Sequence, residues 1–349
     1  MKKITALILV LSIIAVFASG VSFGNEVREF TDDCGRTVEI PEEVSAIAVT
    51  GPLSQLYVLP LCADKLVGRS AAFSDGAAKY FDDSVLALPV LGQLHGGKGT
   101  MNLEALLAAA PQIVLDVGEG KDSLAFDFDL LSEQTGIPFI HIDATVETAP
   151  EAYRQLGELT GDSEKAEQLA QWCESCCSEV MDIMEKVDED GARKSILYCL
   201  GDKGQNVLAE KSYHAETLNL VADNAAKLDN AVSSGMGNEV DMEQILLWNP
   251  EVIIFAPDSF YSGAADETLW QQLDAVKEGR YYETPFGPYG WLASPPSVQR
   301  YLGLIWLTDL LYPDYCTYDL KEAVTEYYSL FYGYDLTDAD YAELMKNAG

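Results

Sequence analysis

The 349-residue sequence predicts an α/β protein of two Rossmann-like lobes with parallel-rich sheets, joined by a single long helix. Three observations lead there. A fourteen-residue pattern occurs twice, as Asn102-Leu-Glu104-Ala-Leu-Leu-Ala-Ala-Ala-Pro111-Gln-Ile-Val-Leu115 and as Asp241-Met-Glu243-Gln-Ile-Leu-Leu-Trp-Asn-Pro250-Glu-Val-Ile-Ile254, 139 positions apart without a gap. In each copy Asn or Asp caps a helix, Glu occupies the first turn, proline stops the helix and a short β-branched run follows. The second observation is the alternation of short apolar runs with amphipathic stretches in both halves, the pattern of βα units. The third is length, which suffices for two lobes with a core each.

Taken in order, residues 1–24 read as an export signal. Lys2 and Lys3 precede an apolar run over 4–17, shorter than the roughly 20 residues of a spanning helix, and Ala18, Ser19 and Gly20 follow. The mature chain is expected to begin between Val21 and Glu26. No cysteine lies there to carry a lipid, so the protein should be free outside the cytoplasmic membrane, or held by a signal left uncleaved. Residues 30–41 predict a hairpin turning at Asp33 to Gly35. Strands are expected at 44–50, 65–68, 86–91, 113–116 and 139–142, with a helix from Ser54, which makes 25–146 the first lobe. The run over 147–190, read as having no internal proline and a single glycine pair at Gly157 and Gly161, predicts one linking helix, stiff rather than a tether. The second lobe, 191–349, begins with strands at 195–199, 206–208 and 252–255. It ends with helices over 297–311 and from Lys321.

The formal charge of −34 moves to −36 once Lys2 and Lys3 leave with the signal, and such a field repels phosphate backbones, so nucleic acid is excluded as a partner. Cys173, Cys176 and Cys177 share one side of a helix, but no histidine stands near enough to complete a zinc site. Core packing or a disulfide remains open for them, as does a Cys34–Cys62 pair. No catalytic constellation is present: the three histidines have no metal spacing, and no glycine loop matches a nucleotide-binding fingerprint. Neither an enzyme nor a resident cofactor is therefore expected.

In doubly wound sheets ligands bind beyond the carboxyl ends of the strands. That rule selects loops 50–53, 69–73, 92–95 and 117–121 in the first half, and 201–203, 210–214, 256–261 and 286–291 in the second. Candidate ligand residues in and beside these loops are Thr50, Gly51, Arg69, Gln93, His95, Ser212, Tyr213, Tyr261, Tyr289 and Trp291, joined by Arg300. The aromatics offer hydrogen-bonding surface, and the arginines offer forked donors for an anion. The loop 96–99, before a capped helix, could cradle an anion or be a tight turn.

These residues resemble the periplasmic binding proteins of ABC importers for iron-siderophores, haem and cobalamin. The similarity covers Phe30 to Leu344. It rests on Thr31-Asp-Asp-Cys-Gly-Arg-Thr-Val-Glu-Ile-Pro41, the two Glu-bearing repeats, Glu210-Lys211-Ser212, Ala275-Val-Lys-Glu-Gly-Arg280-Tyr-Tyr, and Pro295-Pro-Ser-Val-Gln-Arg300 through Pro313. The resemblance implies a monomer with its ligand between two lobes, a metal chelate or an oxyanion such as molybdate or tungstate. It also implies an ABC permease with its ATPase as partner, docked through Glu104 and Glu243. A repeated exposed carboxylate suits a two-fold symmetric partner. A surface sensor or adhesin on the same scaffold is the alternative, and metal chelatases share the two-lobed design.

Overall fold

The computed structural model describes residues 26–94, 100–293 and 295–349. The expected export signal, His95 and the 96–99 loop lie outside them. A hairpin of β1 (Val27–Thr31) and β2 (Thr37–Pro41) opens the described chain, with Val27 opposite Pro41. The first sheet is parallel, in the order β3 (Ile47–Val49), β4 (Ile113–Gly118), β5 (Phe139–Asp143). Helix α1 (Pro52–Cys62) follows β3, α2 (Leu103–Ala109) precedes β4, and α3 (Leu124–Thr135) joins β4 to β5. The strands are apolar and buried over nearly their whole length, as parallel strands covered on both faces must be.

The linking segment departs from expectation. It is two helices, α4 (Ala149–Thr160) and the 27-residue α5 (Ser163–Glu189). Gly161 ends α4 in the left-handed region at φ 81°, and its amide returns to the Gly157 carbonyl at 2.9 Å. A Cβ on Gly157 would stand 2.5 Å from that of Ala166, so the missing side chain lets the two helices cross in close contact. Cys173 and Cys176 are buried on α5, and all seven cysteines are free thiols.

The second sheet is mixed. Strands β6 (Ser195–Leu200), β7 (Asn206–Val207), β8 (Asp223–Asn224), β9 (Asn238–Glu239), β10 (Val252–Phe255) and β11 (Tyr281–Glu283) form the order β11-β10-β6-β7-β9, with β8 also on β6. Pairs β11–β10, β10–β6 and β6–β8 are parallel, whereas β7 runs antiparallel to β6 and β9. Helix α6 (Glu216–Val221) leads into β8, and α7 (Met242–Trp248) precedes β10. Helices α8 (Arg300–Leu311) and α9 (Leu320–Tyr332) pack over the junction of the halves, where Trp291, Tyr301, Trp306 and Tyr327 are fully buried.

Two expected strands do not form. Residues 65–68 and 86–91 supply only isolated bridges, Ile47 to Leu66 and Arg69 to Val90, and Asp83–Leu86 is a turn of helix. The repeat, by contrast, is structural in detail. Asn102 and Asp241 accept the amides of Ala105 and Gln244 at 3.0 and 2.8 Å, capping α2 and α7. Both helices end on a non-glycine residue in the left-handed region, Ala110 at φ 50° and Asn249 at φ 38°.

Candidate functional site

A cavity of about 650 Å³ opens at the carboxyl ends of the first sheet and faces loops of the second half. Its first wall is the β3–α1 turn with Thr50, Gly51 and Ser54, then Gln93, and the end of β4 with Asp116, Glu119 and Lys121. Gly118 is required here. It has φ 149°, and a Cβ would meet Leu53 Cδ2 at 2.7 Å. The opposite wall carries Tyr213, His214, residues 233–236, Tyr289, Ala293, Pro295 and Pro296.

Ser212 does not line the cavity. It is buried, and its hydroxyl accepts the His214 amide at 3.2 Å, shaping the turn that presents Tyr213 and His214. The Tyr213 hydroxyl donates to the Ala144 carbonyl just beyond β5 and accepts from Arg300 Nη2 at 3.2 Å. Burial pushes the Tyr213 and Tyr289 phenols up, so both present neutral hydroxyl groups. Burial lowers the His214 pKa and outweighs its bond to the Ala293 carbonyl, which leaves a neutral ring.

Both arginines are turned to structural use. Arg300 is 1% exposed. Its Nη1 pairs with Glu216, its Nη2 donates to the Ala144 carbonyl at 2.9 Å, and its guanidinium lies 4.9 Å from the Tyr213 ring centre. Burial opposes its charge, but Tyr213, Tyr57 and Glu216 more than offset that. Arg69 donates Nε to the Leu88 carbonyl at 3.0 Å and stacks over Phe73. Neither guanidinium is on the cavity wall, since Arg300 is held by Glu216 and the Ala144 and Ser297 carbonyls and Arg69 by the Leu88 carbonyl and the Phe73 ring.

Two aromatics are also elsewhere. Trp291 is 0% exposed in the main core, beneath α8, where a Cβ on Gly303 would meet its carbonyl oxygen at 2.3 Å. Tyr261 packs on Tyr281 and Phe255 in the core of the second sheet. The structure therefore brings Thr50, Gly51, Gln93, Tyr213 and Tyr289 together, and not Arg69, Ser212, Tyr261, Trp291 or Arg300. His95 lies outside the described residues.

Glu119, Lys121 and His214 fall in the loops 117–121 and 210–214 that the strand-end rule selects, though none of them was named as a ligand residue, whereas Asp116 and the 233–236 loop fall outside the selected loops. A signal existed for Asp116: it interrupts the apolar run Ile-Val-Leu-Asp-Val, as His141 interrupts Phe-Ile-His-Ile. An ionisable group inside a buried strand needs a partner. Glu104 and Glu243 are exposed in the first turns of α2 and α7. Among the described residues no helix is long and apolar enough to cross a membrane.

A family profile described as periplasmic binding protein matches residues 47–287, more than half of the chain. No curated protein matches. Among solved structures, an ABC transporter solute binding protein from Sulfurospirillum deleyianum is 28% identical with a TM-score of 0.84, covering 91% of this chain and 99% of that one. A periplasmic solute binding protein from Veillonella parvula is 22% identical, TM-score 0.73, over 93% and 98% of the two chains. The molybdate-bound periplasmic protein of a Haemophilus influenzae ABC transporter is 19% identical, TM-score 0.72, over 89% and 99%. The chain belongs to the periplasmic binding protein family, the solute-binding components of ABC transporters.

Proposed function

We propose that the protein captures a metal chelate in this cavity outside the cytoplasmic membrane and delivers it to an ABC permease and its ATPase. The two lobes, 25–146 and 191–349, would hold the chelate between them, with Glu104 and Glu243 docking on the permease. One observation carries the choice of ligand: the wall presents Asp116 and Glu119, whereas Arg69 and Arg300 are engaged elsewhere. The described wall has one side-chain cation, Lys121, whose Nζ lies 3.8 Å from Glu119. That balance disfavours an oxyanion such as molybdate, the ligand of the Haemophilus protein, and haem propionates as well. It suits an uncharged or cationic chelate, a ferric hydroxamate or a corrinoid. A cavity of this size falls within the range of about 300–1,000 Å³ that small-molecule sites occupy.

The test is a thermal-shift panel of ferric hydroxamates, ferric catecholates, haem, corrinoids, molybdate and tungstate. A true ligand at 100 times its Kd stabilises by about 2.7 kcal/mol. Stabilisation by a hydroxamate or corrinoid is expected. Stabilisation by molybdate alone would replace this reading with the oxyanion one.

A further inference from the structure

The carboxyl edge of the first sheet carries a string of ionisable groups that ends in the cavity. Parallel register sets Asp116 of β4 opposite His141 of β5, and Gly118 opposite Asp143. The Thr50 hydroxyl donates to Asp116 Oδ1. Asp116 Oδ2 lies 2.7 Å from His141 Nδ1, and Asp143 Oδ1 lies 3.0 Å from Nε2. Both ring nitrogens thus face carboxylates, while a neutral imidazole has only one N–H; the doubly protonated ring satisfies both. His141 is 1% exposed. Burial pulls its pKa down, but the bonds to and charges of Asp116 and Asp143 prevail and raise it above its ordinary value.

The other charged and titratable groups around the ring come from the β1–β2 turn. Asp32 accepts the His141 amide and is paired with Arg36, which also reaches Asp129 of α3 at 3.0 Å. Asp33 accepts the Asp143 amide at 2.8 Å. Burial, then Asp32, pushes the Cys34 thiol up to about 11, so it stays protonated. Two carboxylates and one imidazolium leave the triad with a net single negative charge. Asp116 is its member on the cavity wall.

We propose that Asp116 is a specificity-determining residue of the first wall: held by His141 as a positioning residue, it receives a cationic or N–H-donating group of the ligand and turns oxyanions away. The proposal rests on the cavity's being the ligand site. It has a consequence for protons. A cation beside Asp116 competes with the imidazolium for the same carboxylate, so binding weakens the ring's hold on its proton, which passes to solvent.

The test follows the three histidine rings by NMR in 15N-histidine-labelled protein, with His141→Gln used to assign the signal. Hexaamminecobalt(III) serves as an inert cation with N–H donors, and molybdate as the anion. Asp143 is half exposed and lies 3.0 Å from Nε2, so a cation held there on the outer side would also move the ring, and the Asp116→Asn variant separates the two positions. The His141 midpoint should lie above 6.5 in the free protein. It should fall by about one pH unit with hexaamminecobalt(III) and stay unchanged with molybdate. In Asp116→Asn the response to the cation should vanish. A ring that is neutral at pH 6.5, or that ignores the cation in the wild-type protein, overturns the proposal without the Asp116→Asn variant having to fold. The two readings fail separately: a chelate that stabilises the protein while the ring stays silent removes only this proposal. A responding ring with no chelate bound removes only the chelate reading.

Discussion

Replacing Arg300 with methionine keeps most of the aliphatic stem and removes a guanidinium that ties the second half to the segment leaving β5. Four polar links meet there. Arg300 pairs with Glu216 and donates to the Ala144 carbonyl, Glu216 accepts the Val146 amide at 2.8 Å, and Tyr301 donates to the Val146 carbonyl at 2.5 Å. Removing one partner of a buried ion pair costs about 3–5 kcal/mol, because the other charge stays behind unpaired. The Glu216 side chain is 22% exposed and keeps its bond to Val146, which puts the loss near the lower end. With roughly 2 °C per kcal/mol for a chain of this size, the melting temperature should fall by about 6 °C. Adding Glu216→Gln should recover about 1–3 kcal/mol, since the stranded carboxylate is gone. Urea denaturation of the wild type, both single variants and the double variant measures all four states. A loss under about 1 kcal/mol in Arg300→Met, or strictly additive single losses, would refute the clamp.

Three further outcomes are expected. The Glu104→Arg, Glu243→Arg double variant should bind ligand normally and lose little stability, because a first-turn acid contributes about 0.3–1 kcal/mol, yet fail in vesicle transport; normal transport would remove the docking role. Since the His141 pKa is raised on folding, its stabilisation is full below its unfolded value near 6.5 and is lost as pH rises through the folded one. The stability gap between wild type and His141→Gln should therefore shrink with rising pH above 6.5 in urea titrations, and a gap that widens would contradict the ion triad. Gly118→Ala should cost about 1–3 kcal/mol in the same assay, through its φ of 149° and its approach to Leu53.

Much of this was legible because local chemistry dictated it. Asn102 and Asp241 cap their helices through their own side chains, proline stops each helix, and the buried runs after them become strands, so the repeat survives into the backbone angles of Ala110 and Asn249. Strand-end geometry likewise placed Thr50, Gly51, Gln93, Tyr213 and Tyr289 at the cavity. The failures are of another kind. Residues 65–68 and 86–91 have strand composition, but extending a sheet depends on a neighbour in register, and only single bridges form. The break at Gly161 was visible as a glycine, yet what makes it a crossing is the fit of Gly157 against Ala166 in the other helix. Composition marked Trp291 and Arg300 as able to meet a ligand; whether an indole or a guanidinium faces solvent or core depends on what packs over it, here α8 and the Ala144 carbonyl. Asp116 and His141 stand 25 positions apart and become partners only through the register of β4 and β5. Caps, stops and periodicity act within a few residues and can be read along the chain, whereas burial and charge pairing are properties of distant segments brought together, which the tertiary structure alone decides.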